Sequence, residues 1–110
     1  MSSSSSNKTV SRLTLFKIPS ESDQQKLLDI YRSMPSKAKK DGKPYIRSVV
    51  AGPSYEDARN QGYTVAVVST FDSLEDFKYY DTQCEAHNEL KAFAKTVHQG
   101  NMMVFFENAL

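Results

Sequence analysis

The third predicted strand is the feature that most restricts the folds available to this chain, because it is apolar on both of its faces. Val65, Val67 and Phe71 alternate with Ala66 and Val68, and successive side chains of a strand point to opposite sides of a sheet. A chain of 110 residues forms one domain and is too short to cover both faces with its own helices. The strand therefore predicts a homodimer, in which a second copy covers the face that the helices leave open.

The order of the predicted elements is strand, helix, strand, strand, helix, strand. The strands are expected over residues 10–18, 45–51, 62–71 and 102–107, and the helices over residues 20–34 and 73–97, the latter with a break near residue 82. Pro35 and the pair Gly52-Pro53 are expected to end elements, Ser73 to cap a helix, and residues 36–44 to form a loop. This order favours an α+β, ferredoxin-like βαββαβ fold with a four-stranded antiparallel sheet.

Both helices of such a fold cover the same face of the sheet, so the other face would be bare. That face would expose an apolar patch too large for a monomer, made of Leu13, Leu15, Ala66, Val68, Met102, Val104 and Phe106. Two copies packed face to face would bury on the order of 800 Å² per partner. The two sheets would then approximate a closed eight-stranded barrel, a homodimeric α+β barrel.

Composition excludes several classes of function. A net charge of +1 argues against a general nucleic-acid binder. The lysines of residues 37–43 are interpreted as a solvated loop, with a phosphate, membrane or protein contact as the alternative. A single cysteine, Cys84, excludes an internal disulfide and fits a reducing compartment. No apolar run is long enough to span a membrane and no secretory signal follows Met1, so a cytoplasmic location is the default.

The serine-rich residues 1–9 are predicted as a disordered tail, and residues 10–110 as the domain. The two histidines and the cysteine lack the spacing of metal ligands, so no metal site is expected. No cofactor is expected either, because the four glycines are isolated and form no phosphate-binding loop.

From residue 11 to residue 108 the chain resembles the stress-responsive A/B barrel (Dabb) family of the dimeric α+β barrel superfamily. The resemblance rests on Leu15-Phe16-Lys17, Asn60-Gln61-Gly62-Tyr63-Thr64, Phe71-Asp72-Ser73, Tyr80 and Glu85-Ala86-His87. It implies a homodimer, and similarity to plant polyketide cyclases, which close a polyketide-derived chain by aldol chemistry in a pocket between helices and sheet. Arg12 and Val65 stand where the family often carries histidines.

The resemblance assigns candidate catalytic roles to His87 and Tyr80, which match the helix histidine and the tyrosine of that cyclase. Histidine titrates near neutrality and can take a proton from a carbon acid, and Tyr80 could steady this base or donate to an enolate oxygen. The structural alternative is a packed His87 bonded to a backbone carbonyl. The candidate substrate-binding residues are Tyr31, Arg12, Phe16, Val65, Val67 and Phe105.

Two functional hypotheses follow. In the first, each subunit binds a small hydrophobic, aromatic or polyketide-like molecule in its pocket and catalyses cyclisation or proton transfer with His87 as the base. In the second, the protein is a non-catalytic, stress-associated structural dimer whose pocket is filled by its own side chains.

Overall fold

The computed structural model describes residues 8–110, so residues 1–7 of the predicted tail lie outside the described part of the chain. In chain order the elements are β1 Val10–Phe16, α1 Glu21–Lys37, β2 Lys39–Lys40, β3 Lys43–Pro44, β4 Ile46–Pro53, β5 Val65–Phe71, α2 Leu74–Thr82, α3 Glu85–Val97 and β6 Asn101–Glu107. A short 3-10 helix, Ala58–Asn60, lies in the loop between β4 and β5.

The main sheet has four strands in the order β4-β5-β1-β6, and every neighbouring pair is antiparallel. Its central strands β1 and β5 alternate between buried and half-buried residues along their whole length. The buried face carries Val65, Val67 and Phe71, which join the side chains of the helices in one core. The predicted α+β, ferredoxin-like fold is therefore confirmed.

Of the two predicted proline stops, the one at Pro35 is wrong and the one at Pro53 is confirmed. Pro35 lies inside α1, which continues to Lys37; it removes one N–H from the last turn, and the Ala38 N–H closes that turn on the Met34 carbonyl at 2.9 Å. β4 ends at the predicted pair, since Pro53 is its last residue, and a proline is tolerated there because β4 is an edge strand whose outer N–H groups need no partner strand.

The lysine-rich segment is more ordered than the predicted loop. The end of α1 and the two-stranded sheet of β2 and β3 occupy it. Lys40 pairs with Asp76 at 2.8 Å and Lys37 with Glu89 at 2.9 Å, so two of its cations bind carboxylates of α2 and α3.

The predicted break between α2 and α3 is a sharp turn. Both the Gln83 and the Cys84 N–H groups donate to the Tyr79 carbonyl, at 2.8 and 3.0 Å, which ends α2 before α3 begins at Glu85. Because of this turn, residues near the end of α2 face residues in the first turn of α3.

The sheet face away from the helices is apolar and partly exposed. Val104 of β6 lies opposite Leu13 of β1, which lies opposite Val68 of β5. On this face Val50, Met102, Val104 and Phe106 are 62%, 47%, 48% and 53% exposed. None of the helices within residues 8–110 has the length and apolar character needed to cross a membrane.

Candidate active site

His87 lies in the first turn of α3 and is only 1% exposed. Its Nδ1 is 2.8 Å from the backbone carbonyl oxygen of Tyr80. Because a carbonyl oxygen can only accept, Nδ1 carries the proton and donates it. In the neutral imidazole the other nitrogen, Nε2, then bears a lone pair and can accept a proton.

The pKa of His87 is lowered from 6.5 to about 4, chiefly because burial disfavours the charged imidazolium. The Tyr80 carbonyl opposes this effect, while the cations of Arg12 and Lys91 reinforce it. His87 is therefore neutral near pH 7, in the form that accepts a proton.

Tyr80, near the end of α2, packs its ring flat against the imidazole of His87. The ring centroids are 3.8 Å apart and the ring planes differ by 14°. The Tyr80 hydroxyl is buried without a hydrogen-bond partner among the described residues. Burial raises the pKa of Tyr80, so this hydroxyl keeps its proton.

Arg12 extends from β1 into the same region and is 8% exposed. Its Nη1 donates to Thr14 Oγ1 at 2.8 Å, its Nη2 contacts Asp81 Oδ1 at 3.4 Å, and its guanidinium carbon is 5.5 Å from the ring centre of Tyr80. Its Nε is buried and has no partner in the described chain. One donor of the buried guanidinium is therefore unsatisfied within residues 8–110.

Tyr31 of α1 supplies another unpaired donor. Its hydroxyl is buried and finds no partner within residues 8–110. Burial raises the pKa of Tyr31, and the nearby Arg12 only partly opposes that rise, so the hydroxyl stays protonated. An unpaired buried polar group is costly in a folded protein, and a bound ligand could satisfy it.

A cavity of about 480 Å³ lies between α3, α1 and β1. Four predicted site residues line it: Arg12, Phe16, Tyr31 and His87. Four others do not. Tyr80 lies behind the imidazole, Val65 and Val67 are buried in the core, and Phe105 stacks on Phe77 with centroids 4.1 Å apart.

The cavity also contains residues to which sequence reasoning gave no role. They are Thr14, Asn88, Leu90, Lys91, Ala92, Ala94, Lys95, His98, Asn101 and Met103. The spacing of α3 could have identified several of them, because residues 91, 94, 95 and 98 follow residue 87 along one helix face. His98 packs against Phe16 with ring centroids 6.1 Å apart, and its Nδ1 is buried with no partner in the described region.

Residues 8–110 contain no group of three or more histidine, cysteine or acidic side chains placed to hold a metal ion. The side chains that line the cavity supply a neutral histidine base, the guanidinium of Arg12, two lysine ammonium groups and the phenol of Tyr31.

Comparison with known families and curated proteins identifies relatives of this chain. The family model of the stress responsive A/B barrel domain matches residues 10–107. A protein of Gibberella zeae described as a fusaristatin A biosynthesis cluster protein is 43% identical over 99 residues, which span 89% of this chain and 72% of that protein.

Solved structures share the fold at low sequence identity. Hydroxynitrile lyase from Passiflora edulis matches with a TM-score of 0.78 and 17% identity, over 94% of this chain and 96% of that one. A dimeric protein of unknown function with a ferredoxin-like fold from Bacteroides fragilis matches with a TM-score of 0.69 and 20% identity, over 91% and 96% of the two chains. At these identities the likeness establishes the fold alone.

Proposed function

The chain belongs to the stress responsive A/B barrel domain family, and we propose that it is a homodimer whose His87 cavities bind a small aromatic or polyketide-like molecule and transfer a proton on it. One observation carries the proposal: a neutral histidine, oriented by Tyr80, lines a cavity of about 480 Å³. The names of the Gibberella zeae relative and of the Passiflora edulis lyase support a role in small-molecule chemistry.

In this proposal His87 acts as a general base through Nε2. Its pKa of about 4 makes it a weak base near pH 7, and proton transfer is efficient only when the acidities of donor and acceptor are not far apart. The substrate should therefore carry a comparatively acidic C–H bond. A carbon between two carbonyl groups, as in a polyketide-like 1,3-dicarbonyl, is more acidic than a carbon beside a single carbonyl group.

The remaining donors suit the enolate that such a proton transfer forms. The Arg12 Nε and the Tyr31 hydroxyl are buried and unpaired within the described residues, and a preorganised donor is most effective where charge develops in a site with little water. Tyr80 does not line the cavity, so we assign it the positioning of the imidazole and assign the donor role to Tyr31.

A cyclisation by this route balances without a cofactor. His87 Nε2 takes the proton from the carbon acid, and the C–H electron pair becomes the enolate. The enolate carbon then attacks a second carbonyl carbon of the same molecule and forms the new C–C bond. The resulting alkoxide takes a proton back from the imidazolium, which restores the neutral base.

The homodimer is supported by the outer face of the sheet. Its apolar side chains, including Val104 and Phe106, are about half exposed, and an apolar face of this kind marks an interaction surface. The Bacteroides fragilis neighbour is described as dimeric. We also propose a cytoplasmic location, because the free thiol of Cys84 fits a reducing compartment.

A second candidate is binding without turnover. The low pKa of His87 favours it, since a weak base accelerates proton transfer less. The cavity itself argues against the version of this hypothesis in which side chains fill the interior.

Deuterium exchange at the central carbon of ethyl acetoacetate in D₂O, followed by proton NMR, separates these candidates. We expect the protein to accelerate exchange above the buffer rate, and His87→Asn to lower that acceleration about 100-fold or more. Asparagine keeps an N–H donor near the position of Nδ1 but removes the base. Lys78→Ala, on the exposed side of α2, is the matched control. An unchanged rate in His87→Asn would refute the catalytic assignment.

A further inference from the structure

The charged side chains that line the His87 cavity all have the same sign. They are Arg12, Lys91 and Lys95, and no aspartate or glutamate lines the cavity with them. The whole chain has a net charge of only +1, so this positive charge is local. The nearest compensation is Asp81, whose carboxylate contacts Arg12 at 3.4 Å from outside the lining.

The two lysines of α3 line the cavity and are themselves exposed to solvent, so they lie at its rim. Lys91 donates to the backbone carbonyl of Asp81 at 2.9 Å, a contact that leaves its charge uncompensated. Lys95 has no ion-pair partner among the residues that the structure describes, whereas Glu89 on the same helix pairs with Lys37. Glu89 is thus engaged by Lys37, and neither Glu89 nor Glu85, the other acidic residue of α3, lines the cavity.

The length of the cavity can be obtained from α3 and from β1, and the two values agree. Along α3, Lys95 follows His87 by eight residues, which corresponds to about 12 Å at 1.5 Å per residue. Along β1, Phe16 follows Arg12 by four residues, or about 13 Å. Arg12 and His87 therefore lie at one end, and Lys95, Phe16 and His98 at the other, where the His98 Nδ1 is also buried and unpaired in the described chain.

We propose that the substrate is an elongated carboxylic acid, whose carboxylate is bound at the Lys95–His98 end while its reacting carbon lies beside His87. This inference rests on the proposed function of the same cavity and adds the charge and the orientation of its ligand. Between the two ends, Leu90, Ala94 and Met103 line the cavity and contact the hydrocarbon part of the ligand. Lysine and imidazole N–H donors suit a carboxylate because charge-assisted hydrogen bonds are the stronger ones.

A matched pair of probe molecules tests whether the cavity prefers a negatively charged ligand. Naphthalene-2-carboxylate and naphthalene-2-carboxamide have nearly the same shape, and only the acid is charged at pH 7. We expect calorimetry to show the acid binding at least about tenfold more tightly, with added salt weakening the acid alone. Lys95→Gln should remove most of the preference, whereas Lys78→Gln, on the exposed side of α2, should leave it intact.

The outcomes distinguish this inference from the proposed function. Equal affinity for the acid and the amide would refute the carboxylate site. The proposed function would be unaffected, because the cavity would still bind a neutral ligand. A preference for the acid that survives Lys95→Gln would overturn the placement of the carboxylate. Absence of binding by both probes would contradict the inference and the proposed cavity function together.

Discussion

The imidazole of His87 is held by Tyr80 in two ways, since the two rings stack at 3.8 Å and the Tyr80 carbonyl accepts the Nδ1 proton at 2.8 Å. One residue therefore fixes both the orientation and the tautomer of the base. This arrangement leaves Nε2 as the acceptor, as the proposed chemistry requires.

Two substitutions at Tyr80 distinguish the contribution of its ring from that of its hydroxyl. Tyr80→Phe keeps the stacking and removes a buried hydroxyl that has no partner in the described chain, so we expect the free energy of unfolding to stay the same or rise by about 1 kcal/mol. Tyr80→Leu loses the stacking on His87 and should lower the free energy of unfolding by about 2 kcal/mol. Urea denaturation measures the free energy of unfolding of both variants. The rate of deuterium exchange into ethyl acetoacetate should fall only in the leucine variant. A phenylalanine variant as impaired as the leucine variant would show that the hydroxyl is essential.

The depressed pKa of His87 predicts how stability depends on pH. Between pH 6.5 and about 4 the unfolded chain binds a proton at this position and the folded chain does not. The free energy of unfolding should therefore fall as the pH is lowered through this range, by up to about 3 kcal/mol. Urea titrations at a series of pH values measure the slope. His87→Asn should flatten it, and an equally steep slope in that variant would assign the effect to other groups.

A charge on the outer sheet face should dissociate the dimer. Val104→Lys places a lysine between two apolar faces, where desolvation is unfavourable, and sedimentation velocity should show a monomer. Leu74→Lys is the matched control, because Leu74 of α2 is 45% exposed and Val104 is 48% exposed. The control should remain dimeric. A dimeric Val104→Lys variant would indicate that another surface forms the interface.

The start of α2 depends on a serine cap. The Ser73 side chain accepts a hydrogen bond from the Asp76 N–H at 3.1 Å. Ser73→Ala should lower the free energy of unfolding by about 1 kcal/mol. Ser73→Asp should keep most of the stabilisation that the serine cap provides, because aspartate also caps helices. Thermal or urea unfolding gives the answer, and equal stability of the alanine and wild-type proteins would show that the cap contributes nothing.

The fold was predictable because its signals are local. The alternation in Val65–Phe71 and the cap at Ser73 follow from strand geometry and from hydrogen bonding within four residues. Pro35 was misread as a stop, because the effect of a proline depends on its position in the element. It lies in the last turn of α1, which continues to Lys37, whereas Pro53 is the last residue of β4, as predicted.

The candidate site was only partly predictable, because a cavity depends on how elements pack. Strand parity correctly directed Arg12 and Phe16 toward the helices. The same parity places Phe105 on the helix-facing side, where it stacks on Phe77 of α2 and does not line the cavity. His98 was given no role because it follows the end of α3, and only the packing of its ring against Phe16 brings it to the cavity.

The protonation state of His87 can be measured directly by two-dimensional long-range ¹H–¹⁵N NMR of the imidazole at pH 7, with His87→Asn to assign its signals. We expect a neutral ring with the proton on Nδ1 and a bare Nε2, and a shift of the Nε2 signal when naphthalene-2-carboxylate is added. A ring that carries its proton on Nε2, or on both nitrogens, would refute His87 as the base, because Nε2 would then have no lone pair to accept a proton from a substrate.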